Sequence, residues 1–256
     1  MKSTHLLAGA SVVLAGAVLA WSMHGAATPA GAGASRSAAG PDAPPSSAQI
    51  EAAAMSASQT GSPEARQQLQ RWARQGLPVA ERELGTLYRK QPERLGAARQ
   101  LLEHAARAGD VEAAFQLGEL LRAGGPAQAG HPARAWPWYR QAAEGRHAKA
   151  ALTLGQMAAN GEGVRKDAAV SVQWLAVASE LGNAHAMFLL SNAYRYGVGV
   201  ERDERKGLKW LEEAAEHEYP PALQDLALAV QNDDAQRAGH LLKEASEHRR
   251  NNWNRY

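Results

Sequence analysis

Histidine is the residue type of this chain that most readily binds a metal ion or acts as a general base. A helical zinc site uses two histidines four residues apart, as in His-Glu-x-x-His. No pair with that spacing occurs in the sequence. The nine histidines are instead spread along the chain, at His5, His24, His104, His131, His147, His185, His217, His240 and His248. We therefore expect no metal site and no cofactor, with the imidazoles on the surface or between helices.

The residue patterns that hydrolases use for nucleophilic attack are also missing. The chain has no cysteine, which excludes thiolate catalysis, thiolate metal sites and disulfides. Neither Gly-x-Ser-x-Gly nor Ser-x-x-Lys occurs. Glu212-Glu213 and Asp233-Asp234 are adjacent in sequence, and adjacent side chains on a helix point in different directions. These carboxylates are expected in solvent rather than facing each other across a cleft. The chain is predicted not to be an enzyme.

Composition favours a folded protein without a nucleic-acid partner. Apolar residues make up 45% of the 256 residues, which is enough for a sizeable core. The 28 basic and 26 acidic side chains leave a net charge of +2. So balanced a charge does not predict binding to a nucleic acid.

A short phrase recurs along the chain and indicates an internal repeat. It consists of Ala, three residues, Leu and then usually Gly, and its leucines follow one another at steps of 33, 37, 36 and 36 residues. The five copies begin at Ala80, Ala113, Ala150, Ala186 and Ala222. Since Ala and Leu four positions apart share one helix face, each copy predicts an amphipathic helix.

A second phrase follows the first and predicts a partner helix. It is Trp-Tyr or Trp-Leu with one or two alanines after it, and it places Trp138, Trp174 and Trp210 in phase. This regular phase predicts that the tryptophans belong to the core. Paired glycines separate the phrases in the third and fourth copies, where Asp167 and Asp203 are placed to cap the second helix. Each unit is therefore predicted to be helix, turn and helix, and such pairs bury their apolar faces only by stacking.

These phrases resemble the Sel1-like repeat, a relative of the tetratricopeptide repeat. The similarity is closest over 150–182 and 184–217, and it extends from about Pro78 to Ser246. The resemblance implies an all-α fold, an α-solenoid of stacked helix-turn-helix Sel1-like repeats. It also implies a surface for protein binding and places the first helix of each unit on the concave side.

The ends of the chain differ in composition from the repeats. Residues 1–27 have a basic start and an apolar run, which predicts either a cleaved signal peptide or a membrane anchor through residues 4–23. Residues 28–62 are rich in Ala, Gly, Ser and Pro and are predicted to be a disordered linker, in which a helix around 49–57 would be marginal. The solenoid is expected over 63–248, followed by a flexible tail at 249–256. Both interpretations of the N-terminus place the repeats outside the cytoplasm, in the periplasm or another exported location.

The side chains of the first helices that fall outside the packing phase are the candidates for a partner-binding groove. They are Arg82, Thr86, Arg89, Phe115, Glu119, Arg122, Leu152, Gln156, Phe188, Asn192, Arg195 and Tyr196. Phe115 and Phe188 are the only phenylalanines and occupy equivalent places, so they could anchor a partner or cover the seam between helices.

Two functions fit these predictions. The first is an exported scaffold or adaptor that holds a protein or peptide in the groove. The alternative is an accessory module of a cell-envelope polysaccharide, peptidoglycan or secretion assembly, in which the groove arginines meet an acidic polymer. The sequence alone leaves both open.

Overall fold

The computed structural model describes residues 44–124 and 129–251, and in this part of the chain it contains α-helices, one 3-10 turn and no strand. The helices alternate with short turns from Ser47 to Asn251. They are α1 (Ser47–Gln59), α2 (Pro63–Arg74), α3 (Pro78–Arg89), α4 (Leu95–Arg107), α5 (Val111–Ala123), α6 (Pro132–Glu144), α7 (Ala148–Asn160), α8 (Ala168–Glu180), α9 (Ala184–Tyr196), α10 (Glu204–Glu216), α11 (Pro220–Val230) and α12 (Ala235–Asn251). A leading pair, α1 and α2, precedes five units that each consist of a first and a second helix. We number these units 1 to 5, from α3–α4 to α11–α12.

The repeated leucines occupy matching interior positions in all five units. Leu84, Leu117, Leu154, Leu190 and Leu226 are each at most 4% exposed. Each first helix packs on its own second helix and on the second helix of the unit before it, so buried apolar clusters follow one another along the stack. The predicted solenoid is confirmed.

In units 1, 2 and 3 the glycine that follows the repeated leucine makes room for a large side chain of the second helix. A Cβ added to Gly118 would lie 2.8 Å from the Tyr139 ring, and one added to Gly155 would lie 3.0 Å from Leu175. The first distance is shorter than real carbon contacts and the second is tighter than most of them, so glycine lets these helices approach closely. The fourth unit has the small Ser191 at this position.

The tryptophans do not occupy the interior as predicted. Trp138, Trp174 and Trp210 are only partly buried against the core, whereas the residues that follow them, Tyr139 and Leu175 among them, are at most 5% exposed. On a helix, consecutive positions are about 100° apart, so only one of them can face the paired helix directly. The tryptophans therefore pack against the edge of the core.

The predicted caps form. Asp167 accepts hydrogen bonds from the backbone N–H groups of Ala169 and Val170, and Asp203 accepts one from Lys206. Each of these bonds satisfies a donor that the first turn of a helix leaves free.

The linker prediction is wrong over its last part, because α1 lies within it. Ser46 and Gln49 form a reciprocal capping box, and Ile50, Ala54 and Ala57 are buried on one face. Glu51 adds an ion pair with Arg82 of α3. At the other end, α12 continues to Asn251, past the start of the predicted tail. The rest of the linker, the predicted signal segment or anchor, and residues 252–256 lie outside the described residues. No helix in the described part of the chain is long and apolar enough to cross a membrane.

Candidate binding surface of the first helices

The first helices lie on the inner side of the stack at its beginning. The helix α1 contacts α3, and α3 contacts α5, whereas no two second helices of the described chain approach as closely. Elements that come closer to one another line the inner side of a curved stack. The predicted groove residues are all on first helices, but the structure divides them into three sets.

Two predicted groove residues of unit 1 make contacts between units. The Arg82 guanidinium pairs with Glu51 at 3.1 Å, Glu83 at 2.8 Å and Asp110 at 3.0 Å, and its side chain is only 14% exposed. The Thr86 hydroxyl donates to Gln116 of α5. Since these groups are engaged inside the solenoid, they are poorly available to a partner. Arg89 is exposed at the end of α3.

The second set lines a depression of about 530 Å³ centred on unit 3, which we call the unit-3 depression. It brings together five of the predicted residues from α5 and α7. These are Phe115, Glu119, Arg122, Leu152 and Gln156, joined by Lys149, Thr153, residues 182–185 and His217. Side chains of three consecutive units thus meet in one concave site.

The depression exists because unit 3 lacks an aromatic pair that its neighbours have. In unit 2, Phe115 stacks on His147 with ring centroids 4.2 Å apart. In unit 4, Phe188 meets Tyr219 at 5.5 Å. The equivalent positions of unit 3 hold Leu152 and Asn183, which are shorter. The two phenylalanines are half-buried in these pairs, so they cover the seam between units, and Phe115 also forms one wall of the depression.

A hydrogen-bonded network fixes the polar wall of the depression. Tyr139 is fully buried against Gly118, and its hydroxyl donates to Glu119 at 2.5 Å. Arg122 Nε donates to Glu162 of the turn in unit 3 at 2.8 Å. This hydrogen bond raises the pKa of Arg122, and burial followed by the bond to Glu119 raises the pKa of the Tyr139 phenol. Both groups therefore stay protonated at neutral pH, and their hydrogen bonds hold Glu119 and Arg122 in place before a partner binds.

Two histidines near the depression have structural roles. His147 caps α7, because its Nδ1 accepts from the Ala150 N–H at 3.1 Å, and its Nε2 lies 3.1 Å from Glu112 Oε2. An accepting Nδ1 requires the proton on Nε2, which therefore donates to Glu112. This bond lowers the pKa of Glu112, while burial lowers the pKa of His185, which stacks on Tyr219. His185 lines the depression as a neutral ring rather than as a cation.

The third set lies beside the depression. Asn192 and Tyr196 line a groove of about 480 Å³ between α7, α8 and α9, together with Leu189 and the exposed Val198. This groove shares Gln156 and His185 with the depression. Arg195 pairs with Asp225 of α11 at 3.5 Å. The prediction from sequence missed Lys149, His185 and the role of Tyr139. The signal that could have revealed the depression is the change from Phe to Leu at 152 between two otherwise matching copies.

The arrangement is suited to recognition of a partner. Within 44–124 and 129–251 no group of three or more His, Asp and Glu side chains is placed to hold a metal ion. Two polar side chains of the lining are held by neighbours outside it, Arg122 by Glu162 and Glu119 by Tyr139. The site provides a concave shape, the apolar side chains of Phe115 and Leu152, and these oriented polar groups.

A stack of helix pairs with a continuous inner face belongs to the α-solenoids, a class that serves mainly as a platform for binding. The family model described as Sel1 repeat matches three consecutive stretches, residues 111–147, 148–183 and 184–219. These are units 2, 3 and 4, the three that surround the depression. Residues 111–219 therefore form three consecutive Sel1 repeats, and repeats of this family generally mediate protein–protein interaction.

Solved structures share this architecture. A Sel1 repeat protein from Oxalobacter formigenes is 26% identical with a TM-score of 0.67, over 81% of this chain and 90% of that chain. A protective antigen of uropathogenic Escherichia coli strains with an SLR fold is 21% identical with a TM-score of 0.69. The match covers 78% of this chain and 45% of the antigen, so this chain spans less than half of the antigen's length. No curated protein matches the sequence significantly.

Proposed function

We propose that this protein is an exported scaffold that binds a segment of a partner protein in the unit-3 depression. The observation that carries the proposal is the missing aromatic pair at Leu152 and Asn183, which opens a site of about 530 Å³ in the middle of the repeats. A site of this size fits one or two anchoring side chains of a partner. The network around Tyr139 holds the wall in place before binding, which lowers the entropic cost of association.

The charges on the first helices favour a protein partner over an acidic polymer. Of the four predicted groove arginines, Arg82, Arg122 and Arg195 are paired with carboxylates of the chain itself. A polyanion would have to displace these internal partners or bind through Arg89 and Lys149. A partner that inserts an apolar side chain over Leu152 needs no such rearrangement. An accessory role in a cell-envelope assembly remains compatible with this site when the bound component is a protein.

Photo-crosslinking in intact cells tests the site directly. A diazirine-bearing lysine analogue at position 149 lies at the rim of the depression, and the same analogue at position 209 lies on the exposed side of α10. We expect one discrete crosslinked species from position 149 that is absent from position 209. Identical patterns from both positions, or no protein adduct from position 149, would count against partner binding in the depression.

Export is the second part of the proposal. It is supported by Lys2 and the apolar run that follows it, which is typical of a signal segment or an inner-membrane anchor. A fusion of alkaline phosphatase to the C-terminus should be active in cells, since that enzyme needs an oxidising compartment for its disulfides. Deletion of residues 1–27 should abolish the activity. An active cytoplasmic reporter fused at the same place would show instead that the repeats stay inside the cell.

The same fusion protein distinguishes the two forms of export. A cleaved signal peptide yields a shorter chain in the soluble envelope fraction. A retained anchor through residues 4–23 yields the full-length chain in the membrane fraction, and N-terminal sequencing separates the two outcomes.

A further inference from the structure

A second site lies at the start of the stack, mainly between two second helices. It is a cleft of about 530 Å³ between α2 and α4 with its floor on α3, and we call it the Glu81 cleft. Its lining includes Gln70 and Arg74 of α2, Glu81 and Tyr88 of α3, and His104 of α4. It shares no lining residue with the unit-3 depression.

The cleft is open because unit 1 lacks a tryptophan. In units 2, 3 and 4 the second helix carries Trp138, Trp174 and Trp210 at one equivalent position, where they pack partly buried against the core. The equivalent residue of unit 1 is Leu101, which lines the cleft but is too small to fill it. The same kind of loss that opens the unit-3 depression on the first helices thus opens this cleft on the second helices.

The floor of the cleft also departs from the repeat. Glu81 is buried, with 8% of its side chain exposed, at a position where the following units have apolar residues. Those residues are Ala114, Ala151, Met187 and Leu223, all of them buried. A buried carboxylate costs stability relative to a well-packed apolar residue unless strong interactions offset the lost hydration. The fold does not need a charge at this position, because four of five units form without one.

The contacts of Glu81 leave the charge of the carboxylate in the cleft. Its Oε2 lies 2.6 Å from His104 Nδ1, and the His104 side chain is 65% exposed. A neutral imidazole with its proton on Nδ1 donates to Glu81 without cancelling the negative charge. Two turns further along α3, the Tyr88 hydroxyl accepts from Gln70 at 3.0 Å, so its own proton can be donated to a ligand.

The charge that a ligand of the cleft should carry follows from how deeply the charged side chains of the lining are buried. Arg74 carries the positive charge of the lining, but it lies exposed at the rim and its Nε donates to the Gln70 carbonyl of its own helix at 3.2 Å. An exposed charge is screened by water and salt, whereas a buried carboxylate acts at low dielectric. The field at the floor of the cleft is therefore negative.

We propose that the Glu81 cleft binds a small organic amine, with the ammonium group against the Glu81 carboxylate and the alkyl part against Leu84 and Leu101. The volume lies within the range of roughly 300–1,000 Å³ that small-molecule sites occupy. An ammonium group bonded to Glu81 gives the buried carboxylate a full counter-charge, which His104 in its neutral form does not supply. This site is independent of partner binding in the unit-3 depression.

The test uses n-butylammonium as the probe and n-butanol as its neutral counterpart, titrated into the purified repeat protein at pH 8 and followed by NMR chemical shifts. At this pH histidine side chains are generally neutral. We expect saturable shifts around Glu81 with n-butylammonium, and at least about tenfold weaker binding of n-butanol, as loss of a charge-assisted hydrogen bond implies. Equal affinities for the two probes, or no saturation with n-butylammonium, would overturn the proposal.

Three variants make the assignment specific. Glu81→Met introduces the residue of unit 4 and Leu101→Trp introduces the tryptophan of the later units, so both are expected to fold while losing n-butylammonium binding by about tenfold or more. Glu93→Gln removes an exposed carboxylate outside the cleft and should bind like the wild type. If Glu81→Met binds n-butylammonium as the wild type does, the carboxylate is not the recognition group. If Glu81→Met fails to fold, Leu101→Trp decides alone.

Discussion

Filling the unit-3 depression should abolish partner binding while leaving the fold intact. The double variant Leu152→Phe with Asn183→His gives unit 3 the pair that unit 2 already has, Phe115 stacked on His147 at 4.2 Å. The new histidine can also retain the helix cap, because His147 caps α7 through Nδ1 in the same way that Asn183 caps α9. The aromatic stack and the helix cap are therefore contacts that the fold already makes elsewhere, although Lys149 takes the place that Glu112 has beside His147.

The double variant is expected to change the free energy of unfolding and the partner affinity in different directions and by different amounts. A stacked aromatic pair contributes about 0.5–1.5 kcal/mol beyond its buried area, so we expect the free energy of unfolding to stay equal or rise by roughly 1 kcal/mol. The new side chains would occupy much of the 530 Å³ that the partner needs. Losing an anchor pocket at the centre of an interface typically costs about 2 kcal/mol or more, which corresponds to a loss of roughly 30-fold in affinity.

The assay has two measurements. Urea denaturation followed by circular dichroism gives the free energy of unfolding, and biolayer interferometry with the crosslinked partner gives the dissociation constant. Gln173→Phe is the matched control, because it adds an aromatic ring at an exposed position of α8 outside the depression. The reasoning is refuted if the double variant keeps its stability and still binds the partner with the affinity of the wild type. Equal losses in the double variant and the control would also refute it.

Three further predictions concern the repeat scaffold. Gly118→Ala should lower the free energy of unfolding by about 1–3 kcal/mol, because the added Cβ would lie 2.8 Å from the Tyr139 ring. An unchanged midpoint of urea denaturation would contradict the packing role of this glycine. Arg146 has a left-handed backbone with a φ of 68°, at the position where units 1 and 3 have Gly109 and Gly182. Because glycine adopts this conformation without strain, Arg146→Gly should raise the free energy of unfolding by up to about 1 kcal/mol. A lower melting temperature of the variant would show that the backbone at Arg146 is not strained. The pKa of Glu112 is lowered from 4.5, so its bond to His147 stabilises the fold above that value and is lost as the pH falls through the lower folded pKa. Glu112→Gln should therefore be less stable than the wild type at pH 7 by an amount that shrinks below about pH 4.5, and a difference independent of pH between 7 and 3 would show that the carboxylate charge is not involved.

Ion pairs were the part of the surface that the sequence pattern could least predict. Arg82, Arg122 and Arg195 were assigned to the groove from their phase on the first helices, and that phase is correct. Their partners, among them Asp110 and Glu162, lie 28 and 40 residues away from Arg82 and Arg122. Whether a charge is free for a ligand depends on such contacts between units, which a pattern within one unit does not contain.

The first helix was expected to be only marginal, for a different reason. Composition predicted disorder up to residue 62, because Ala, Gly, Ser and Pro dominate the segment as a whole. The local signal was nevertheless present in the capping box of Ser46 and Gln49 and in the spacing of Ile50, Ala54 and Ala57. A mean taken over a long window conceals one amphipathic helix at its end, and that helix becomes stable only through its contacts with α2 and α3.

The amino-acid sequence by itself determined the class of fold and the register of the units. Small residues recur where helices must approach each other and leucines recur where the space between them must be filled, so a period near 36 residues specifies the stack. Only the tertiary structure decided which departures from the repeat open a site on the surface of this protein. The two open sites, at Leu152 and at Leu101, arise because a large side chain is missing where neighbouring units provide one. An opening is a property of the side chains of several helices together, and it forms only when those helices have packed.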